Sequence, residues 1–120
     1  ADPATKWERF AAAPIADVEL DGPCMVNQGK EAVYEVWVEF NDAPYPADDI
    51  SEVKYLLFDS AGELAVVDAA AMVEEGLYEI KLTSEQTAKL AEGSTRLEVV
   101  VVSKTVAVPS SAALQLVVAK

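Results

Sequence analysis

The chain has no histidine, one cysteine and only nine Lys or Arg residues among its 120 positions. Without histidine, neither a Ser-His-Asp nor a Cys-His catalytic arrangement can be assembled within this chain. Zinc sites built from histidine and several cysteines are excluded for the same reason. The lone Cys24 cannot form an intrachain disulfide. Because Asp21 supplies negative charge beside it, we expect Cys24 to be a small, semi-buried side chain rather than a reactive thiol.

Positive charge is scarce relative to the 21 Asp and Glu residues, which gives a formal net charge of −12. A nucleic acid or an anionic membrane surface would therefore be repelled, and we predict neither as a partner. The longest apolar runs are far shorter than the roughly 18 residues that a membrane helix needs, so no direct membrane insertion is expected. An apolar content of 52% argues against disorder and, at this length, predicts one globular domain.

Apolar and polar residues alternate with a period of two through most of the chain, which indicates half-buried β-strands. Strands are predicted at residues 15–20, 33–40, 53–58, 64–67, 77–82, 97–101 and 114–118. The strand at 53–58 is apolar on both faces near its end and should be central in its sheet. The predicted inward set is Tyr34, Val36, Val38, Phe40, Tyr78, Ile80, Leu82, Leu97, Val99, Val101, Leu114 and Leu116.

Turn and capping residues separate these strands. Residues 59–62, Asp-Ser-Ala-Gly, match a type I turn, and the Pro-Tyr-Pro sequence at 44–46 predicts an unpaired loop. Thr83 and Gln86 form a capping box for a short helix at 84–91, which Gly93 should end. The whole pattern predicts an all-β, immunoglobulin- or fibronectin-like two-sheet sandwich of about seven strands with one short helix. Residues 1–13 are interpreted as a lead-in and residues 14–120 as the sandwich.

Candidate chemical motifs in the chain are weak. Ser51 and Lys54 match the Ser-x-x-Lys string of serine acyl-enzymes, but on a strand these two positions face opposite sides. Asp48, Asp49 and Glu52 form an acidic cluster without the spacing of a calcium loop, and their relation to an ion is left open. We therefore predict no enzyme activity, no catalytic residue, no cofactor and no metal site.

Aromatic residues are the best candidates for contacts with another molecule. Trp37 should lie on the outward face of its strand between Glu35 and Glu39, and Trp7 and Phe10 stand at helical spacing in the lead-in. One interpretation is that Trp37 is covered by a neighbouring strand, the lead-in or an adjoining domain. The other is that it stacks on a sugar, as exposed tryptophans of carbohydrate-binding sandwiches do. Trp7, Phe10 and Trp37 are predicted as inter-domain or partner contacts.

Several stretches of the chain resemble the C-terminal extension of some bacterial ABC-transporter substrate-binding proteins. These are the large extracellular solute-binding proteins of the peptide or oligopeptide type (family 5). The resemblance lies in APYPADDI at 43–50, EVKYLLFD at 52–59, GEL at 62–64, GLY at 76–78, LT at 82–83, TAKL at 87–90 and LEV at 97–99. The lead-in, with DP at 2–3 and KWERF at 6–10, is similar to the junction at which such proteins leave their ligand-binding lobes.

This resemblance implies a non-catalytic accessory sandwich with a structural or interaction role, in the cell envelope or outside the cell. Its partners would be the upstream solute-binding lobes of the same polypeptide and, indirectly, the ABC permease. A free-standing cell-surface adhesion or carbohydrate-binding module is the alternative.

We also predict that the chain binds no peptide, since its sheet edges should be blunted by Pro109 near the last strand and by Glu31, Glu35 and Glu39 along the second strand.

Overall fold

β-Strands account for most of the residues that the computed structural model describes, which are residues 16–106 and 108–120. Within these ranges, one α-helix, α1 (Ser84–Ala88), and a 3-10 turn at Ala47–Asp49 connect the strands. The strands in chain order are β1 (Asp17–Asp21), β2 (Met25–Asn27), β3 (Ala32–Phe40), β4 (Ala43–Pro44), β5 (Ile50–Phe58), β6 (Leu64–Ala69), β7 (Ala71–Glu74), β8 (Leu77–Leu82), β9 (Gly93–Ser103) and β10 (Ser110–Ala119).

The strands form two five-stranded sheets. Sheet A has the order β1-β3-β8-β7, with the short β4 also paired to β3, and sheet B has the order β2-β10-β9-β5-β6. All pairs are antiparallel except β2 with β10, which is parallel. The predicted all-β, two-sheet sandwich with one short helix is confirmed. β5 lies between β6 and β9, so its predicted central position is also confirmed.

The core is formed by the inward sides of these strands, as the alternation predicts. Of the predicted inward set, ten side chains are buried, while Phe40 and Leu114 are partly buried and pack against the core. The other buried apolar residues are Val26, Ala32, Tyr45, Val53, Tyr55, Leu57, Leu90 and Val118. Tyr34 donates a hydrogen bond from its hydroxyl to the Pro23 carbonyl at 2.7 Å, which satisfies the polar end of a ring that is otherwise enclosed.

Three short strands, β2, β4 and β7, were absent from the sequence prediction. Each has two to four residues, which is too short for an alternation to be recognised. The Pro-Tyr-Pro segment was predicted as an unpaired loop, and this is wrong in part. Pro44 pairs with Glu39 in β4, and Tyr45 is fully buried. Asn41 and Asp42, both with positive φ, make the tight turn that brings β4 back onto β3.

The predicted capping box is confirmed. The Thr83 hydroxyl accepts a hydrogen bond from the Gln86 backbone N–H at 3.2 Å, and the Gln86 side chain accepts one from the Thr83 backbone N–H at 3.0 Å. The helix is shorter than predicted because it ends at Ala88, and Gly93 begins β9 instead of ending the helix.

The predicted sheet edges are wrong, so the reason given for expecting the chain to bind no peptide does not hold. β3, which carries Glu35 and Glu39, lies between β1 and β8, and β10, which Pro109 precedes, lies between β2 and β9. The outermost strands are β1 and β7 in sheet A and β2 and β6 in sheet B. The error arises because an interior antiparallel strand with one solvent-facing side carries the same alternation as an edge strand. Residues 1–13, the predicted lead-in, and Ile15 of the predicted first strand lie outside the described residues.

Candidate functional site around Trp37

The outer face of sheet A is lined by carboxylates. Since Tyr34, Val36 and Val38 point into the core, the alternate residues of β3 point outward, and the same holds for β1 and β8. Lys81 is the one outward cation on these three strands, and its Nζ lies 3.5 Å from Glu31 at the end of the sheet. The outward carboxylates are Asp17, Glu19, Asp21, Glu35, Glu39 and Glu79.

The strand register places several of these carboxylates directly opposite one another. Asp21 pairs with Glu35, and Glu35 pairs with Glu79, so three acidic residues form one row across β1, β3 and β8. Two outward rows further along the strands, Asp17 of β1 pairs with Glu39 of β3. Directly opposed like charges destabilise a sheet, by roughly 0.2–1 kcal/mol for each pair. The face therefore costs stability in the isolated chain, and a cationic partner would relieve that cost.

Trp37 lies in the row between these two acidic rows. Its strand neighbours are Glu19 on β1 and Leu77 on β8, and its side chain is half-buried. A cleft of about 90 Å³ opens beside it, lined by Trp37, Glu39, Asp42, Pro44, Glu74, Glu75 and Gly76. The arrangement is an indole and a leucine surrounded by carboxylates, which suits an apolar group that carries positive charge.

Sequence reasoning identified Trp37 and its flanking glutamates but did not bring Leu77, Glu74 and Glu75 to the same place. Those residues come from the β7–β8 turn, where Gly76 accepts a hydrogen bond from the Val38 backbone N–H at 2.8 Å. No sequence signal predicted this contact, because it depends on the order of strands in the sheet. The other two predicted contact residues, Trp7 and Phe10, lie outside the described residues.

The acidic cluster at Asp48, Asp49 and Glu52 is divided by the structure. Asp48 is exposed, whereas one carboxylate oxygen of Asp49 accepts hydrogen bonds from the hydroxyls of Tyr45, Ser103 (2.8 Å) and Thr105 (3.0 Å). These bonds, that from Tyr45 first and then that from Ser103, lower the pKa of Asp49 below its ordinary value. Asp49 thus ties the loop before β5 to the end of β9.

The Ser51–Lys54 pair and Cys24 lie away from the cleft beside Trp37. Ser51 and Lys54 both lie on β5, as expected, with Ser51 exposed. Cys24 is exposed, so the predicted semi-buried position is wrong. It lies in the short connection between β1 and β2, at the surface and away from the core.

Within residues 16–106 and 108–120, no group of three or more Cys, Asp or Glu side chains is arranged to hold a metal ion. In the same ranges, no helix has the length and apolar character needed to cross a membrane.

A second cleft, of about 160 Å³, lies at the β5–β6 turn on sheet B. There the Arg96 guanidinium stacks 4.3 Å from the centre of the Phe58 ring and forms an ion pair with Glu98 at 2.9 Å. Both partners of Arg96 are thus supplied within the chain. This cleft and that beside Trp37 are smaller than the roughly 300–1,000 Å³ of small-molecule pockets. These two clefts are therefore better suited to contacts with a macromolecule or a single sugar ring than to an enclosed ligand.

Comparison with solved structures identifies the architecture. The chain is similar to the CARDB domain of a Pyrococcus furiosus protein, solved in complex with di-metal ions, with 20% identity over 88% of this chain and 89% of that one at a TM-score of 0.53. It is similar to the Lin-41 filamin domain, with 16% identity over 88% and 96% of the two chains and a TM-score of 0.52. Superoxide reductase (neelaredoxin) from Ignicoccus hospitalis gives a TM-score of 0.62, with 14% identity over 98% and 92%.

These similarities define the chain as an immunoglobulin-like β-sandwich domain. At such low identities the likeness extends to the fold alone, because one sandwich architecture serves many unrelated functions. No family model and no curated protein matches the sequence.

Proposed function

We propose that this chain is a non-catalytic accessory domain of an ABC importer's solute-binding protein, and that it acts by packing the outer face of sheet A against another protein surface. The observation that carries the proposal is Trp37, half-buried beside Leu77 in a face of carboxylates. An aromatic residue surrounded by a polar rim is a typical anchor of a protein interface. The sequence resemblance described above supplies the class of parent protein, and with it a location in the cell envelope or outside the cell.

The first experiment tests the division of labour within the parent polypeptide. We expect two solute-binding lobes upstream of this domain in the full-length protein, and we expect those lobes alone to hold the peptide solute. Calorimetry with the same solute should give affinities within a few fold for the full-length protein and for a version lacking this domain. A hundredfold loss of affinity, about 2.7 kcal/mol, would contradict the proposal.

The second experiment tests the face itself. The chain has two tryptophans and four tyrosines. A Trp7→Phe background leaves Trp37 as its only tryptophan, and incorporation of 5-hydroxytryptophan at that position allows it to be excited apart from the tyrosines and from tryptophans of the lobes. Addition of the separately expressed lobes should shift Trp37 emission to shorter wavelength and shield it from acrylamide. Trp37→Ala should weaken the association at least tenfold, whereas Val33→Ala, on the same outward side of β3 and 45% exposed, should change it less than twofold. Unchanged emission on addition of the lobes would count against the face.

A cell-surface carbohydrate-binding or adhesion role is the second candidate, and a specific observation favours it. The cleft beside Trp37 combines an indole with carboxylates from Glu39, Asp42, Glu74 and Glu75, groups that stack on a sugar ring and accept bonds from its hydroxyls. A panel of soluble hexose oligosaccharides should then change Trp37 emission, and Glu39→Gln should reduce the response. Saturable binding of that kind, with no response to the lobes, would replace the first proposal by the second.

A further inference from the structure

The chain from Leu64 to Glu74 forms an outermost strand of both sheets in succession. β6 pairs only with β5 and ends sheet B, and β7 pairs only with β8 and ends sheet A, among the described residues. Ala70 alone separates them and donates its backbone N–H to the Val53 carbonyl at 2.9 Å. One continuous segment therefore presents the unpaired backbone side of two edges. An exposed edge of this kind can take up an additional strand from another chain.

The side chains along this segment leave the edge apolar. Leu64 and Val67 on β6 are each 51% exposed, and Met72 and Val73 on β7 are each 58% exposed. Natural edges are usually protected by lysine, proline or a bulge. Residues 64–74 include no Lys, Arg, Pro or Gly. Each of the two strands has one irregularity: the register shifts between Met72 and Glu74 on β7, and at Ala65 on β6, where Leu57 pairs with Val66 and Phe58 with Leu64. β6 is the longer of the two edges, and its pairing is regular from Val66 to Ala69.

The other outermost strands are less suitable for strand addition. β1 places three acidic residues within five positions, and β2 has only three residues. β6 has six residues, of which Asp68 is the single charged one. Asp68 pairs with the inward-facing Tyr55, so its carboxylate lies on the core side of β6 at the rim of the sandwich. That position favours a cation arriving alongside the strand.

Charge identifies the kind of partner. No Lys or Arg occurs between Lys54 and Lys81, whereas Asp59, Glu63, Asp68, Glu74, Glu75 and Glu79 all lie in that interval. A second copy of this chain, with its net charge of −12, would bring like charges against this edge. An extended segment that alternates basic and apolar residues would meet complementary charge and would cover Leu64 and Val67.

We propose that the free edge of β6 binds an extended, basic segment of a partner protein by β-strand addition. The backbone of that segment pairs with β6, its apolar side chains contact Leu64 and Val67, and its cations neutralise Asp68 and the acidic residues at both ends of the edge. This interaction is separate from the packing of the Trp37 face and does not depend on the identity of the parent protein.

The test uses the isotopically labelled chain and a blocked ten-residue peptide that alternates lysine and valine. Backbone amide spectra and hydrogen exchange should show the largest shifts, and at least tenfold slower exchange, within residues 64–69. Val67→Lys should raise the Kd at least tenfold. Val117→Lys should raise it less than twofold, because Val117 is similarly exposed (49%) but lies on β10 between β2 and β9. The two variants add the same charge, so only the position of the strand distinguishes them.

A second variant keeps the proposal testable if the Val67→Lys protein does not fold. Leu64→Lys, at the first residue of β6, should weaken peptide binding in the same way, and thermal unfolding shows whether each variant is folded. The proposal is overturned if a glutamate–valine peptide protects β6 equally well, or if the lysine peptide perturbs only the face around Trp37. It is also overturned if Val117→Lys weakens binding as much as Val67→Lys, or if β6 is protected by self-association in the absence of peptide.

Discussion

β9 and β6 belong to the same sheet and are both rich in valine, yet they behave differently. β9 lies between β5 and β10, and its inward-facing Val99 is completely buried. β6 ends the sheet: its inward-facing Val66, opposite Leu57, is only partly buried, and its outward-facing Val67 is 51% exposed. Alternation determines which side chains of a strand share a face. Position in the sheet determines whether that face and the strand's backbone are covered. The difference separates a strand that supplies stability from one that is available to a partner.

The largest expected effect comes from placing the same charge at both positions. Val99→Asp should abolish the cooperative thermal transition, because an unpaired buried carboxylate costs several kcal/mol against a total stability of about 5–15 kcal/mol. Val67→Asp should change the free energy of unfolding by less than about 1 kcal/mol, as surface substitutions do. Circular dichroism melts measure both. Similar melting of the two variants would show that an inward position at the centre of this sheet and an outward position at its edge are not energetically distinct.

Two glycines in the turns at either end of the β6–β7 segment test whether this side of the molecule tolerates an added side chain equally at both places. Gly76 and Gly62 both have positive φ, of 84° and 82°, so alanine is strained at either site. A Cβ at Gly76 would lie 2.7 Å from the Pro44 Cβ, whereas one at Gly62 would meet nothing within 4 Å. We expect Gly62→Ala to cost about 1 kcal/mol and Gly76→Ala about 3 kcal/mol, since strain and overpacking add. Equal losses in denaturant melts would mean that β4 moves aside freely.

Alkaline titration tests whether the tyrosine hydroxyls of the sandwich are shielded from water. Burial raises the pKa of Tyr34 to about 12 and also raises the pKa values of Tyr45, Tyr55 and Tyr78, which are the remaining tyrosines. A raised pKa means that the native state favours the neutral phenol. The corresponding stability is present below about pH 10, the pKa in the unfolded chain, and is lost as pH rises toward 12.

Absorbance of tyrosinate at 295 nm should therefore stay low at pH 10 in the native protein and reach half of its maximum there in denaturant. Unfolding should follow as the pH approaches 12. Native tyrosines that titrate near pH 10 would show that the interior is open to water.

The smallest expected effect concerns Asp49, at the end of the sandwich. Its pKa is lowered by hydrogen bonds from Tyr45 first and then from Ser103, so its contribution is present above pH 3.8 and is lost as pH falls through the lower native value. Asp49→Asn should lower the melting temperature at pH 7, and the difference from the parent should shrink at pH 2–3. Asp48→Asn, which changes the exposed neighbour, is the control. A pH-independent difference would assign the effect of Asp49→Asn to packing instead.

The seven longer strands, their inward residues and the capped helix followed from local patterns. Period two and the Thr83–Gln86 capping box are properties of neighbouring residues, so they are legible in the chain itself. Trp37 and its outward direction could be predicted for the same reason. The short β2, β4 and β7 could not, because their pairing is imposed by the longer strands beside them.

What the sequence by itself determined is therefore a two-sheet sandwich with an outward-facing tryptophan flanked by acidic residues. The tertiary structure alone decided which strands are outermost, and it reversed the prediction that the acidic β3 blunts an edge. It also brought Leu77 and the β7–β8 turn to Trp37 and, among the described residues, left β6 unpaired on one side. Alternation is the same for a central and an outermost strand that each cover the core on one face, whereas the order of strands depends on long-range pairing that no local pattern encodes.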